Sequence, residues 1–292
     1  MSDRNISHKR ITSEENDSPV VVTVETNLNE NSYNFLKTLS LRGWDYFVYG
    51  IGKPWTGFGC KLQYYSEALA ELHPERLVVL CDARDVFCTR SPRDFLTAFH
   101  GFQKPILVSM ENFCGGKIHD PQDEKMCWDV PLNSYWDACG IKKPDIRPYV
   151  NSGLIAGRVK DIMAFLLWAL SKKYTDDQQA LGFYINQFPQ RVATDAEAKI
   201  LHTSGFGVNG ATQSSKQWCD SPTVAELTGF GAFFLHIAGL GAPGQKKIYD
   251  LVKTLLLDMK VSNDWLLSEY PPHYRDSYNW NSGWGENPSH EE

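Results

Sequence analysis

Leu77-Val-Val-Leu-Cys-Asp82-Ala-Arg-Asp85-Val-Phe87 is an apolar run that stops at two carboxylates three positions apart. The aliphatic, β-branched stretch over 76–81 predicts a strand buried on both faces. Where such a strand gives way to a turn, carboxylates at i and i+3 can converge on one hard cation. Mg²⁺ and Mn²⁺ prefer such oxygen ligands and keep open positions for phosphate oxygens. An ordinary alternative competes: Asp82 caps the next turn and Asp85 pairs with Arg84 or Arg90.

The flanking sequence places this element in an alternating pattern. Upstream lie a β-branched strand over 19–25, a helix over 31–41, an aromatic strand over 44–49, a Gly-rich break over 50–59 and a helix over 61–72. Downstream the periodicity predicts a helix over 92–99, strands over 105–110 and 150–156, helices over 159–171 and 180–188, a strand over 233–236 and a helix over 244–259. This is an α/β fold with a mixed, mostly parallel central sheet flanked by helices. Such sheets bind ligands at the carboxyl ends of their strands. The organisation expected is a polar, flexible lead over 1–18, one domain over 19–258 and an aromatic tail over 259–292 that wraps the domain or is partly disordered. The aperiodic stretch 115–147 reads as a long surface excursion over the sheet edge.

Composition narrows the function. With 29 Lys and Arg against 35 Asp and Glu, the formal net charge is −6, and no basic run offers a surface for a polyphosphate backbone. Nucleic acid is therefore not expected as a partner. The first 18 residues lack the apolar stretch of a secretory signal, and the longest apolar runs fall short of the roughly 20 residues that cross a bilayer. No membrane span and a cytoplasmic location are expected. Seven cysteines without a Cys-x-x-Cys pair read as reduced, buried thiols, with a disulfide among Cys114, Cys127 and Cys139 as the alternative.

Further elements hold residues suited to a site at the strand ends. Asn151-Ser-Gly153-Leu-Ile-Ala-Gly157 joins a small turn to an apolar strand and lets a ligand approach the backbone; its plain reading is a turn into the core. Asp176-Asp177 precedes a helix, so one carboxylate can serve as N-cap while the other faces the site. His236 ends a strand before a loop holding Gly239 and Gly241, and neutral imidazole suits Mn²⁺, although a lone strand-end His is more often a structural hydrogen-bonder. Lys246 and Lys247 follow, within reach of a phosphate or simply solvated.

In this order the elements resemble nucleotide-sugar glycosyltransferases of the GT-A fold, and most closely the glycosyltransferase domain of the procollagen lysyl hydroxylase and collagen glucosyltransferase group. The matching residues are Val21-Val-Thr-Val-Glu25-Thr26, Trp55, Gly57-Phe-Gly-Cys-Lys61, Cys81-Asp82-Ala-Arg-Asp85-Val, Ser109-Met-Glu111, Asn151-Ser-Gly153, Asp176-Asp177-Gln178 and Leu235-His236. The resemblance implies that Asp82, Asp85 and His236 hold Mn²⁺, with Mg²⁺ as the alternative, against the diphosphate of a UDP-sugar. It puts Val24, Thr26 and Trp55 at the uridine, Lys246 at the diphosphate, and Lys61, Ala83, Arg84 and Gly239 elsewhere around the donor. Asn151, Asp176 and Asp177 fall on the donor-sugar and acceptor side.

The reaction expected is transfer of a hexose, glucose or galactose before a pentose, to a hydroxyl of a glycan or glycosylated protein. The resemblance leans to retention of the anomeric configuration, with inversion through a general base such as Asp176 or Asp177 as the alternative. Two rival classes keep the same residues in other roles. One is a catalytically silent glycan-binding domain. The other is a metal-dependent nucleotide-sugar hydrolase or nucleotidyltransferase, although the N-terminal strand region lacks a Gly-rich phosphate loop.

Overall fold

The computed structural model describes residues 6–10, 18–111, 130–144, 147–204, 232–239 and 243–257. The C-terminal aromatic tail, most of the expected surface excursion, and Cys114, Cys127 and Cys219 lie outside the described residues.

The first half of the chain runs β1 (Ile6–Arg10), β2 (Val20–Val24), α1 (Glu30–Arg42), β3 (Asp45–Ile51), α2 (Gly59–Leu69), β4 (Leu77–Cys81), β5 (Val86–Cys88), α3 (Phe95–His100) and β6 (Ile106–Glu111). It continues through α4 (Asn133–Cys139), β7 (Tyr149–Arg158), α5 (Val159–Ser171), α6 (Asp177–Gln187), β8 (Val192–Asp195), β9 (Leu201–Ser204), β10 (Phe234–Ile237) and α7 (Pro243–Leu257). The sheet order is β1-β3-β2-β4-β7-β6-β9-β10-β5, with β8 also paired to β6. The expected α/β class with a mixed, mostly parallel sheet is borne out. Strands β2, β3, β4, β6, β8, β9 and β10 point one way, and β1, β5 and β7 run against them.

That direction decides where chemistry gathers. Seven strands end on one edge of the sheet, and the antiparallel β5 and β7 begin there. Residues just after β2 and β4, near the end of β10 and near the start of β7 therefore meet, although they are far apart in sequence.

The sheet is buried on both faces because its strands alternate apolar side chains between two cores. Val20, Val22, Val24, Val78 and Leu80 pack with residues of α2, α5 and α6 on one face. Val21, Leu77, Val79 and Cys81 pack with Phe35, Leu36, Leu39 and Phe95 on the other. Each fully buried aliphatic or Phe side chain here contributes roughly 1.5–3 kcal/mol. Helix α7 docks Tyr249, Val252 and Leu256, at helical spacing, on Phe87, Leu235 and Ile237.

Several elements differ from the sequence expectation. Strand β1 lies within the polar lead and pairs antiparallel with β3. Helix α4 lies inside the expected excursion and buries Tyr135 and Trp136, closed by Gly140 in the left-handed conformation (φ 64°). Strands β5, β8 and β9, each three or four residues long, extend the sheet where no element was expected. Cys60, Cys81 and Cys88 are free and buried, and Cys139 is free and half-buried. Among the described residues no helix is long and apolar enough to cross a membrane.

Candidate functional site

The turn between β4 and β5 carries the two carboxylates singled out by sequence. The end of β4 is fixed by donors to the Cys81 carbonyl from Thr23 Oγ1 at 2.7 Å and Tyr65 Oη at 3.0 Å. Asp82 N–H then donates to the Gly153 carbonyl on β7 at 2.9 Å, and Ile237 N–H on β10 donates to the Asp85 carbonyl at 2.7 Å. The turn is thereby pinned between β7 and β10, and buried Ala83 lies between the pins. The ordinary pairing of Asp85 with a neighbouring arginine is not what forms. Arg84 turns to Glu25 and Arg90 to Asp94.

Asp85 faces His236, whose Nε2 lies 3.3 Å from Asp85 Oδ1 and 3.9 Å from Asp82 Oδ2. One ligand atom from each of Asp82, Asp85 and His236 lies within 4.8 Å of the others. His236 is buried, and its Nδ1 lies 2.9 Å from Asn151 Oδ1. That oxygen also accepts the Gly153 N–H at 2.8 Å, which fixes the orientation of the Asn151 amide. An amide oxygen cannot donate, so the proton sits on His236 Nδ1, and Nε2 is aimed at the carboxylates. Burial works against a charge on the ring, but the Asp85 and Asp82 carboxylates outweigh it and raise the imidazole above its ordinary value.

Glycine makes this approach possible. A Cβ at Gly153 would lie 2.3 Å from His236 Cε1 and 2.9 Å from Asp82 Oδ2. The register between β6 and β7 shifts between Val108 and Ser109, opposite the Asn151-Ser-Gly segment, so the irregularity re-aims these residues toward the strand ends.

Lys61 forms the other half of the cluster. Its buried ammonium lies 2.7 Å from Asp82 Oδ1 and 2.7 Å from Asp177 Oδ2. Burial disfavours the charge, yet Asp177 and Asp82 hold the ammonium well above the usual lysine value. The Gly57-Phe-Gly59-Cys-Lys61 motif has a physical reading here. Gly57 takes φ +110°, and a Cβ at Gly59 would sit 2.9 Å from the Thr175 backbone. Only this close approach brings α2 against the start of α6, where Asp177 waits for Lys61. The two acidic residues divide their roles as the capping argument anticipates. Asp176 is the N-cap, accepting the Gln179 N–H at 2.7 Å with its pKa raised by burial, and Asp177 is buried and turned to Lys61.

The remaining expected residues are dispersed around this centre. Val24 ends β2 and is buried, and Thr26, two residues on, is half-buried. Trp55 is 48% exposed on the loop after β3, edge-on to Phe58. Gly239 follows β10, exposed and left-handed at φ 82°. Lys246 is exposed on α7 and pairs with Asp250 at 2.7 Å.

Two further carboxylates, part of the matching motifs but given no role by the resemblance, join the site. Glu25, buried at the end of β2, receives the Arg84 guanidinium through two 2.7 Å bonds. Glu111, buried at the end of β6, accepts from Gln178 Nε2 at 2.9 Å and adds to the field that favours a charged His236. The signal for both was the same as for Asp82, an acidic residue closing an apolar strand.

The PLOD GT domain family model matches residues 15–203 of the chain. The chain belongs to this family of glycosyltransferase domains. The resemblance read from the sequence is borne out, and the matched span contains Asp82, Asp85, Asn151, Asp177 and Lys61, while His236 lies beyond it. No curated protein matches the chain. Among solved structures the chain is similar to a glycosyltransferase involved in the glycosylation of the major capsid of PBCV-1. The identity is 12% over 81% of this chain and 98% of that one, with a TM-score of 0.45. It is also similar to the glycosyltransferase GlyE of Streptococcus pneumoniae TIGR4 (12% identity, 87% and 66% covered, TM-score 0.36). A further similar structure is 4-diphosphocytidyl-2C-methyl-D-erythritolsynthase from Anaerococcus prevotii DSM 20548 (14% identity, 68% and 95% covered, TM-score 0.38).

Proposed function

We propose that the chain transfers a sugar from a UDP-sugar, with the help of Mn²⁺, to a hydroxyl of a glycan or glycosylated protein. The observation that carries this reading is the convergence of Asp82, Asp85 and His236 at the carboxyl edge of the sheet. Two carboxylate oxygens and an imidazole nitrogen form a donor set that accepts a divalent cation, and the imidazole favours Mn²⁺ over Mg²⁺. Bound there, the ion would supply positive charge to the departing diphosphate.

The chain's own residues set the rest of the chemistry. Asn151 keeps His236 Nε2 directed at the carboxylates. Lys61 holds one oxygen of Asp82 and so fixes the rotamer that leaves the other on the His236 side. Val24, Thr26 and Trp55 flank the nucleoside side, because β2 and β3 are adjacent and parallel and end on the same edge. Asp177 has one oxygen on Lys61, and Asp176 has one on the helix it caps. Retention of the anomeric configuration is favoured by the family resemblance, and an inverting route would need one of these carboxylates as general base beside the acceptor hydroxyl. Glucose or galactose is the donor sugar favoured by the family resemblance.

The test is UDP release from a panel of UDP-sugars, each with Mn²⁺ and with EDTA and without acceptor, followed by product analysis with glycan acceptors. Mn²⁺-dependent release from one or two donors supports the reading. Absence of release together with absence of Mn²⁺-dependent UDP binding by calorimetry overturns it in favour of a silent glycan-binding domain.

A further inference from the structure

Glu25 is a buried carboxylate at the junction of two turns. Its Oε1 accepts the backbone N–H groups of Thr26 at 3.0 Å and Asn27 at 3.2 Å, and its Oε2 accepts Ser32 Oγ at 3.1 Å. Arg84 closes on it from the other side, Nε to Oε2 and Nη2 to Oε1, both at 2.7 Å. Arg84 stands between Asp82 and Asp85, and 59 residues separate it from Glu25. One ion pair therefore ties the turn after β2, beside Val24 and Thr26, to the turn that carries both cation-facing carboxylates. A guanidinium fork fixes orientation as well as distance, which the point charge of a lysine does not.

We infer that Glu25 and Arg84 are positioning residues that couple the nucleoside half of the donor site to its cation half. This rests on the metal and UDP-sugar reading above. The Asp82–Asp85 turn is held by backbone bonds to β7 and β10, and the Arg84 fork is what connects it to the turn after β2. Occupation of either half sets the position of the shared clasp, so the second ligand meets a half-site already in register. Binding linkage is reciprocal: UDP tightens Mn²⁺ by the same factor as Mn²⁺ tightens UDP. This role differs from the direct donor contact expected of Arg84, because the guanidinium is engaged with Glu25.

The experiment uses the 292-residue chain. Mn²⁺ is titrated by electron paramagnetic resonance with and without UDP, and UDP by calorimetry with and without Mn²⁺, in wild type, Arg84→Met, Arg84→Lys and Glu25→Asp. The wild type shows mutual tightening. Arg84→Met lowers the coupling factor about tenfold, within the range of ordinary coupling between two sites. Arg84→Lys keeps the charge without the fork and stays reduced, and Glu25→Asp, with its shorter reach, does the same. A purely structural role would lower the thermal midpoint and leave the coupling of the folded protein unchanged. Wild-type coupling in folded Arg84→Lys overturns the clasp and leaves the reading of the site intact, whereas uncoupled binding in the wild type overturns both. Arg84→Lys decides the matter if Arg84→Met does not fold. A wild-type chain that binds neither Mn²⁺ nor UDP overturns the reading itself.

Discussion

His236 lies between Asn151 and Asp85, with Nδ1 2.9 Å from the amide oxygen of the first and Nε2 3.3 Å from the carboxylate of the second. The ring is thus oriented by one neighbour for use against the other. Asn151 acts on the imidazole.

Replacing Asn151 by Leu removes the acceptor that holds the Nδ1 proton. The expected result is Mn²⁺ affinity weaker by about 10–100-fold. Asn151→Asp still accepts from both His236 and the Gly153 N–H and retains most of the affinity. A resonance titration of free Mn²⁺ against the two variants checks both statements.

Gly153→Ala forces a methyl group into the space of His236 and Asp82. The obstructing atoms belong to a buried ring and to the carboxylate of a pinned turn, so relief requires moving the cluster itself. Overpacking of this kind costs about 1–3 kcal/mol. A lowered denaturation midpoint together with loss of Mn²⁺-dependent UDP release is expected; wild-type release would show that the ring has room to move.

Lys61→Met leaves Asp82 and Asp177 facing each other without their shared cation. Removing one partner of a buried pair costs about 3–5 kcal/mol, and the lower end applies because the Asp82 side chain is 30% exposed. Urea denaturation reads the loss. Lys61→Met/Asp177→Leu recovers part of it by removing one stranded carboxylate.

His202 provides a pH signature away from the cluster. Burial, helped by the nearby Arg147 guanidinium, pushes its pKa from the ordinary 6.5 down to about 3. Arg147 Nη2 lies 3.4 Å from its Nε2. The folded state keeps this ring neutral while the unfolded chain protonates it. Its contribution is therefore complete above 6.5 and is lost progressively as pH falls toward 3. At about pH 5 the loss is on the order of 2 kcal/mol. His202→Gln, which still offers Arg147 an acceptor, flattens the urea midpoint between neutral pH and about pH 5 by that amount.

The parts of the fold legible in the sequence are those whose own composition dictates them. β2 and β4 are aliphatic runs long enough to show burial on both faces, and α5 and α7 carry helical spacing. β5 has three residues immediately after the acidic turn, too few for any period to register, and β9 gains its place by lying between β6 and β10. β1 forms from polar sequence because the edge of β3 offers backbone partners. In the site, Asp82, Asp85 and His236 are visible as polar residues closing apolar strands. Which of Asp176 and Asp177 caps the helix depends on one extended backbone conformation, and that is settled only in three dimensions. The Glu25–Arg84 pair leaves no trace in local spacing, since topology alone brings its members together.

The position of β10 bears on how the protein is made. Strand β5 has β10 as its neighbour in the sheet, and β9 has it on one side. Synthesis proceeds from the amino terminus, so every other described strand of the sheet leaves the ribosome before residues 234–237 do. Until then β9 lacks its neighbour on one side and β5 lacks the strand it pairs with, and unpaired edges of this kind recruit other chains. Strand β10 supplies both with a partner and carries His236 to Asp82 and Asp85. Among the described residues, the strand that joins β9 to β5 is also the one that completes the Asp82–Asp85–His236 cluster.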